Sequence, residues 1–283
     1  MIRTEHLTKH YKNVVALDDL TLDIPEGKVF GFIGPNGAGK TTTIRILCGL
    51  MRATRGEAWI GDLPVSKNPA RVREHIGYMP DDFGVYEGMR VWEYLDFFGA
   101  AYKIPRSDRK ARIDFALEIV EASHMRDFFV DSLSKGMRQK VGLAKTLLHD
   151  PRVLILDEPA NGLDPRARIE LRQTLRQLAD VFGKTVLVSS HILLELATMC
   201  DMVGIVDRGK LLATGGVDEV LQQFHTRRHL VADCEGDPSP ARPALEKLKA
   251  DGAIDEWEIA ETVIQIECSG PVTGNTAILR VLL

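Results

Sequence analysis

The chain lacks several features that would place it quickly. It has no apolar run near the ~18 residues a membrane-spanning helix needs. Its start, Met1-Ile2-Arg3-Thr4-Glu5-His6, has no secretory apolar core, which points to a cytoplasmic protein. Only four cysteines occur in 283 residues (Cys48, Cys200, Cys234 and Cys268), and none forms a CxxC pair. That argues against a disulfide framework or a cysteine metal site and for reduced, mostly structural thiols. A dominant charge is missing too. The 36 Lys and Arg against 40 Asp and Glu leave a net charge of -4, so no nucleic-acid partner is expected. Low-complexity blocks and short repeats are absent. The length suits one large domain and a smaller one.

What is present centres on Phe30-Gly31-Phe32-Ile33-Gly34-Pro35-Asn36-Gly37-Ala38-Gly39-Lys40-Thr41-Thr42. An apolar strand, a glycine loop and a helix start follow one another there. Gly34-x-x-x-x-Gly39-Lys40-Thr41 has the spacing of a phosphate-binding P-loop. Its glycines turn successive N–H groups towards an anion, and the helix adds its unpaired N–H groups. Lys40 supplies charge to the outer phosphates, and the Thr41 hydroxyl suits Mg²⁺. A nucleoside triphosphate is the expected ligand.

Other stretches fall in order around that loop. Ile2–Tyr11 and Ala16–Ile24 read as strands around a turn, with Tyr11 either an ordinary strand aromatic or a stacking platform for a base. Strands are expected at 56–61 and 76–80, with Asp81, Asp82 and Gly84 in the loop beyond. Helical spacing marks 90–102, 108–122 and a helix from near Ser134. Val153-Leu154-Ile155-Leu156 is a strand buried on both faces, ending in Asp157 and Glu158. Acids there lie at the ligand edge of an open sheet. Asp157 suits the Mg²⁺ shell, and Glu158 suits orienting the attacking water. Asp164-Pro165 opens a further helix as N-cap and first residue. Thr185–Ser189 is another buried strand, ending at His191, which is either a capping residue or one in reach of a γ-phosphate. Residues 202–207 and 210–213 read as a hairpin and 217–224 as a closing helix. The expected domains are 1–224, with a helical segment at about 85–150, and a small α+β accessory domain at 225–283, ending in a helix from Thr273 to Leu283.

Together these stretches resemble the ATP-binding subunit of an ABC transporter. The deciding stretch is Leu133-Ser134-Lys135-Gly136-Met137-Arg138-Gln139, similar to the ABC signature Leu-Ser-Gly-Gly-Gln. Ser134 and Gly136 match. Lys135 replaces a glycine and Met137 a glutamine, so those side chains do not inherit the usual roles. The variant resembles ATPases of the ABC-2 type export branch, including drug-resistance and sodium-efflux systems. The tail resembles the extension on some of these export ATPases.

The resemblance implies a P-loop NTPase cassette of the ABC type. Its α/β core is a mostly parallel sheet, with N-terminal antiparallel strands and a helical subdomain. It implies that Tyr11 stacks on adenine, that Gly34, Pro35, Asn36, Gly37, Ala38, Gly39, Lys40, Thr41 and Thr42 hold the phosphates, and that Thr41 and Asp157 support Mg²⁺. Glu158 would be the catalytic base, with Lys40 and His191 beside the γ-phosphate. Ser134, Lys135, Gly136 and Met137 would face the ATP of a second copy, and Asn161, Gly162, Leu163 and Asp164 would form the dimer-contacting D-loop. Asp81 stands where the family has a glutamine: a carboxylate can ligate Mg²⁺ but also repels the γ-phosphate. Implied partners are a second copy and separate membrane permease subunits, placing the chain on the inner membrane face. A soluble ABC ATPase of translation or DNA repair and an importer ATPase are the alternatives. The missing second cassette and missing coiled-coil insertion weigh against the first, and the altered signature against the second.

Overall fold

The computed structural model describes residues 1–84, 86–224, 228–234 and 236–268. The chain divides into two compact units, Met1–Val217 and Asp218–Leu283. The expected helix from Thr273 to Leu283 lies outside the described residues.

In the first unit β1 (Ile2–Tyr11) and β2 (Val14–Ile24) make a hairpin whose turn contains Lys12 at a left-handed φ of 42°. With β4 (Arg55–Ile60) and β5 (Leu63–Pro64) they form a four-stranded antiparallel sheet, ordered β2-β1-β4-β5. Polar residues alternate with buried Leu20, Leu22 and Ile24 along β2, as one covered face requires.

The second sheet has six strands. These are β3 (Val29–Ile33), β6 (Ile76–Met79), β7 (Val153–Leu156), β8 (Thr185–Ser190), β9 (Met202–Asp207) and β10 (Lys210–Gly216). Their order is β10-β9-β3-β8-β7-β6, and all neighbours are parallel except β10 on β9. Every residue of β3, β7 and β8 is buried, because both faces of a parallel sheet are covered. The helix α1 (Lys40–Leu47) joins the two sheets: Ile44 and Leu47 share one core with Ile2 and Leu20 of the first sheet and Phe30 and Ile155 of the second. A short α2 (Pro69–Glu74), which follows Asn68 as its N-cap and opens on proline, precedes β6.

Between β6 and β7 run α3 (Val91–Ala101), α4 (Arg106–Ile119) and α5 (Lys135–Leu147), which pack on one another. Tyr94, Leu95, Ile113, Leu117 and Val141 are buried there at helical spacing. The helices α6 (Pro165–Asp180) and α7 (Leu193–Ala197) flank β8. The helix α8 (Val217–Phe224) begins at the division between the units, so it opens the second rather than closing the first. Its apolar pattern shows a helix but not which core it joins.

The second unit has β11 (Arg228–Asp233), α9 (Arg242–Ala250), β12 (Glu256–Ala260) and β13 (Val263–Cys268), with sheet order β11-β13-β12. Leu245 and Leu248 of α9 meet Ile264 and Ile266 of β13 in its core. All four cysteines are unpaired. Burial raises the Cys48 thiol and pushes that of Cys200 up to about 12, so both stay protonated.

The helical segment holds a buried charge of its own. Lys145 of α5 is 7% exposed, and its ammonium lies 4.7 Å from the ring centre of Phe83 and 4.9 Å from that of Phe98. Burial lowers its pKa from 10.5 to about 8. The unfolded chain therefore binds more protons than the folded one between those values, so this lysine makes stability rise with pH across that window. The expected outcome is that Lys145→Met loses stability relative to the native chain as pH goes from 7.5 to 9.5, read from denaturant melts at both. A constant difference would contradict it.

Candidate active site

Parallel register decides which residues meet at one edge of the six-stranded sheet. Ile33 lies beside Ser190, and Leu156 lies beside Met79 on one flank and Val188 on the other. One step beyond those pairs come Gly34, His191, Asp157, Ser189 and Pro80. The Gly34 N–H donates to the Ser190 carbonyl at 3.2 Å, and the Asp157 N–H to that of Met79 at 2.9 Å. This is the carboxyl edge, where open α/β sheets take ligands. A pocket of about 460 Å³ opens there, lined by Ala16, residues 35 to 42, Asp81, Asp157, Glu158, Asn161 and His191.

The loop forms because two of its glycines are left-handed, Gly37 at φ 83° and Gly39 at 107°. A Cβ at 39 would lie 2.6 Å from the Ala16 carbonyl, whereas at 37 it would meet nothing within 4 Å. The helix α1 then starts with no side-chain cap, leaving its first N–H groups to an external anion. The Lys40 ammonium, 6% exposed, donates to the carbonyls of Gly34 at 2.6 Å and Pro35 at 3.3 Å. It also pairs with Glu158 Oε1 at 3.3 Å. The other carboxylate oxygen of Glu158 lies 3.0 Å from His191 Nδ1.

Ser189 binds both acids. Its hydroxyl donates to Asp157 Oδ1 at 2.6 Å and accepts the Glu158 N–H at 2.9 Å. Glu158 itself is left-handed, with φ 50°, a costly conformation for a residue with a side chain and one that collects at functional sites. These residues fit a Mg²⁺ nucleotide. An uncapped helix start and a buried ammonium suit phosphate, and the Thr41 hydroxyl and the Asp157 carboxylate are hard oxygen donors that suit Mg²⁺.

Comparison with known proteins agrees with that chemistry. The family described as ABC transporter matches residues 17–161. The chain is 41% identical over 227 residues to the ABC transporter ATP-binding protein YhcH of Bacillus subtilis, covering 80% of this chain and 73% of that protein. It is 42% identical over 212 residues to the bacitracin transport ATP-binding protein BcrA of Bacillus licheniformis, covering 75% of this chain and 68% of that one. Among solved structures it is similar to an ATP-binding subunit of an ABC transporter, at TM-score 0.70 and 31% identity, covering 79% of this chain and 93% of that one. The chain belongs to the ABC transporter family. It is an ATP-binding subunit and an ATPase of that family, and its P-loop cassette fold is the one the sequence led us to expect.

Of the remaining ABC motifs, the signature lies outside the nucleotide pocket, while the D-loop reaches it through Asn161. Ser134 caps α5, its hydroxyl accepting the Met137 N–H at 3.4 Å. Ser134, Gly136 and Met137 line a separate cavity of about 360 Å³ with Asp164. Lys135 lines another, of about 210 Å³. In the D-loop, Asn161 donates to Asp81 at 3.4 Å, Gly162 is left-handed, Leu163 is buried, and Asp164 caps α6 by accepting the Ala167 N–H at 2.8 Å. Tyr11 does not line the pocket. It is 41% exposed, with its hydroxyl 2.7 Å from Met51 Sδ and Lys9 over its ring.

Two residues escaped the sequence reading: Ala16, which lines the pocket, and Ser189, which is buried behind its two acids. Ser189 has a signal in hindsight: it is a polar residue at the penultimate position of a largely apolar strand, two positions before His191. Ser189→Ala would leave the Glu158 N–H unpaired and free the Asp157 carboxylate. We expect a loss of about 1–3 kcal/mol in stability and at least about a tenfold fall in ATP turnover, read by melts and steady-state hydrolysis. Unchanged turnover would remove Ser189 from the site.

Proposed function

We propose that this chain is the ATPase of an exporter, working as a head-to-tail pair beneath separate membrane subunits. The observation that carries this is the separation of the motifs. Ser134, Gly136 and Met137 do not line the pocket formed by Lys40 and Glu158 of their own chain. A two-fold pair brings each signature onto the partner's nucleotide and builds both sites at once. Among the described residues no helix is long and apolar enough to cross a membrane, which supports a separate permease and a place on its inner face. Export is supported by relatives named for bacitracin transport, linearmycin resistance and Nod factor export. That kinship disfavours a soluble non-transport role. The transported substance would be chosen by the permease.

Each side chain has a role that follows from its contacts. The Lys40 ammonium already uses three acceptors, so an incoming phosphate oxygen displaces one. Glu158 is the displaced partner, because the two carbonyls belong to the loop itself. Its carboxylate then turns to the attacking water, orients it and takes its proton. His191 keeps that carboxylate in place. A carboxylate only accepts, so Nδ1 carries a proton, and a contact from Nε2 to an unprotonated phosphate oxygen needs a second proton on the ring. Thr41 and Asp157 would hold Mg²⁺, which when bound neutralises charge on the β- and γ-phosphates. Asp81 lines the same pocket and is a further candidate ligand. ATP binds the closed pair better than the open one, and loss of the γ-phosphate removes that preference.

Glu158→Gln tests the scheme. Turnover should fall by about a hundredfold or more, while ATP is retained and a nucleotide-bound dimer accumulates in size-exclusion chromatography. Adding a bulky residue at Gly136 should abolish that dimer. Normal hydrolysis in Glu158→Gln, or a dimer indifferent to Gly136, would overturn the reading.

A further inference from the structure

Two of the chain's departures from the ABC pattern, Asp81 and Lys135, border the same cavity. Asp81 lines the nucleotide pocket and also the cavity of about 210 Å³, whose other walls are Asp82, Phe83, Lys135, Arg138 and Gln139. The Asp81 carboxylate accepts one long hydrogen bond, from Asn161 Nδ2 at 3.4 Å. Lys135 opens α5 and is exposed, and among the described residues its ammonium has no carboxylate partner. It lies over the D-loop backbone, where a Cβ on Gly162 would come 2.6 Å from Nζ. A side chain at 162 would therefore collide with it.

The charges in the nucleotide pocket give this arrangement a purpose. Asp81, Asp157 and Glu158 all line a site that takes a polyanion, and Lys40 is its one lysine. A third carboxylate repels the phosphates, and because Asp81 is exposed, water screens part of that repulsion. Within the shared cavity, Arg138 donates towards the Leu133 carbonyl at 3.5 Å, and Asp82 does not reach the nucleotide pocket. Gln139, one helical turn beyond Lys135, is 7% exposed, and its Oε1 has no hydrogen-bond partner among the described residues. An ammonium drawn into the cavity thus meets a carboxylate and a second, unsatisfied acceptor.

We propose that Asp81 and Lys135 act as one pair, in which Lys135 leaves Gly162 and neutralises Asp81 when a nucleoside triphosphate fills the pocket. Lys135 is then a positioning residue that acts on ATP through Asp81. The proposal rests on the ATPase reading of the pocket.

A double-mutant cycle on the full chain separates this from other roles. The measurement is the Kd for Mg-ATP by equilibrium titration. Lys135→Gln should raise Kd about tenfold in the native background and less than about twofold when Asp81 is already Asn. An equal factor in both backgrounds, including no change in either, overturns the pair, because a direct phosphate contact or a general loss of structure does not depend on the charge at 81. Lys40→Ala, run alongside, speaks to the pocket alone. Unweakened binding there would sink the ATP reading itself, so the two failures remain distinguishable.

Discussion

The Glu158 carboxylate, held between the Lys40 ammonium and the His191 ring, is the contact on which the rest of this structure depends. The side chain is 13% exposed, and a charge so enclosed costs far more than it returns unless both oxygens are partnered. Its partners come from two other segments, the P-loop after β3 and the turn after β8. The backbone needs the same support. At φ 50° Glu158 occupies a strained conformation, fixed by its own N–H on Ser189 and by the Asn161 N–H donating to its carbonyl at 3.0 Å. Three adjacent parallel strands must end together for this to happen. A slip of one residue in β7 against β8 would turn Asp157 and Glu158 away from Ser189 and His191.

Much of that frame is legible in the sequence because burial on both faces leaves a plain trace. The apolar stretches of β3, β7 and β8 stand out, and the residues just beyond them, Gly34, Asp157 and His191, lie together at one edge. The helices α3 to α6 were readable because each carries an apolar stripe, though their ends differ by one to a few residues, as helix ends do. The missed elements left little pattern. The helix α2 has six residues with only Val72 buried, and β5 has two residues, one a proline. Strand register was hidden as well. Sequence spacing cannot show that Ser189 reaches both acids, because its distance from Glu158 along the chain says nothing about their strands being neighbours. The surroundings of Tyr11 were equally unreadable: periodicity puts it on a strand but does not reveal Met51 and Lys9 around its ring.

The segment joining the nucleotide pocket to the signature is short and tightly held at both ends. At one end Glu158 faces Lys40. At the other, Asp164 fixes the start of α6, and Leu163 is buried beside the first turn of α5, where a Cβ on Gly136 would lie 3.8 Å from its side chain. Between them Asn161 touches Asp81, and Gly162 carries Lys135. A change at the γ-phosphate therefore cannot move Glu158 without loading the D-loop, and the D-loop cannot shift without disturbing α5. Packed interiors respond to such loading by switching between discrete arrangements rather than by bending. The helical segment is anchored to the same region a second time, through Phe83, whose ring lies where a Cβ on Gly142 of α5 would fall and beneath the Lys145 ammonium. Two attachments, one through the D-loop and one through Phe83, constrain α5 to move as a unit with the loop that carries Asp81.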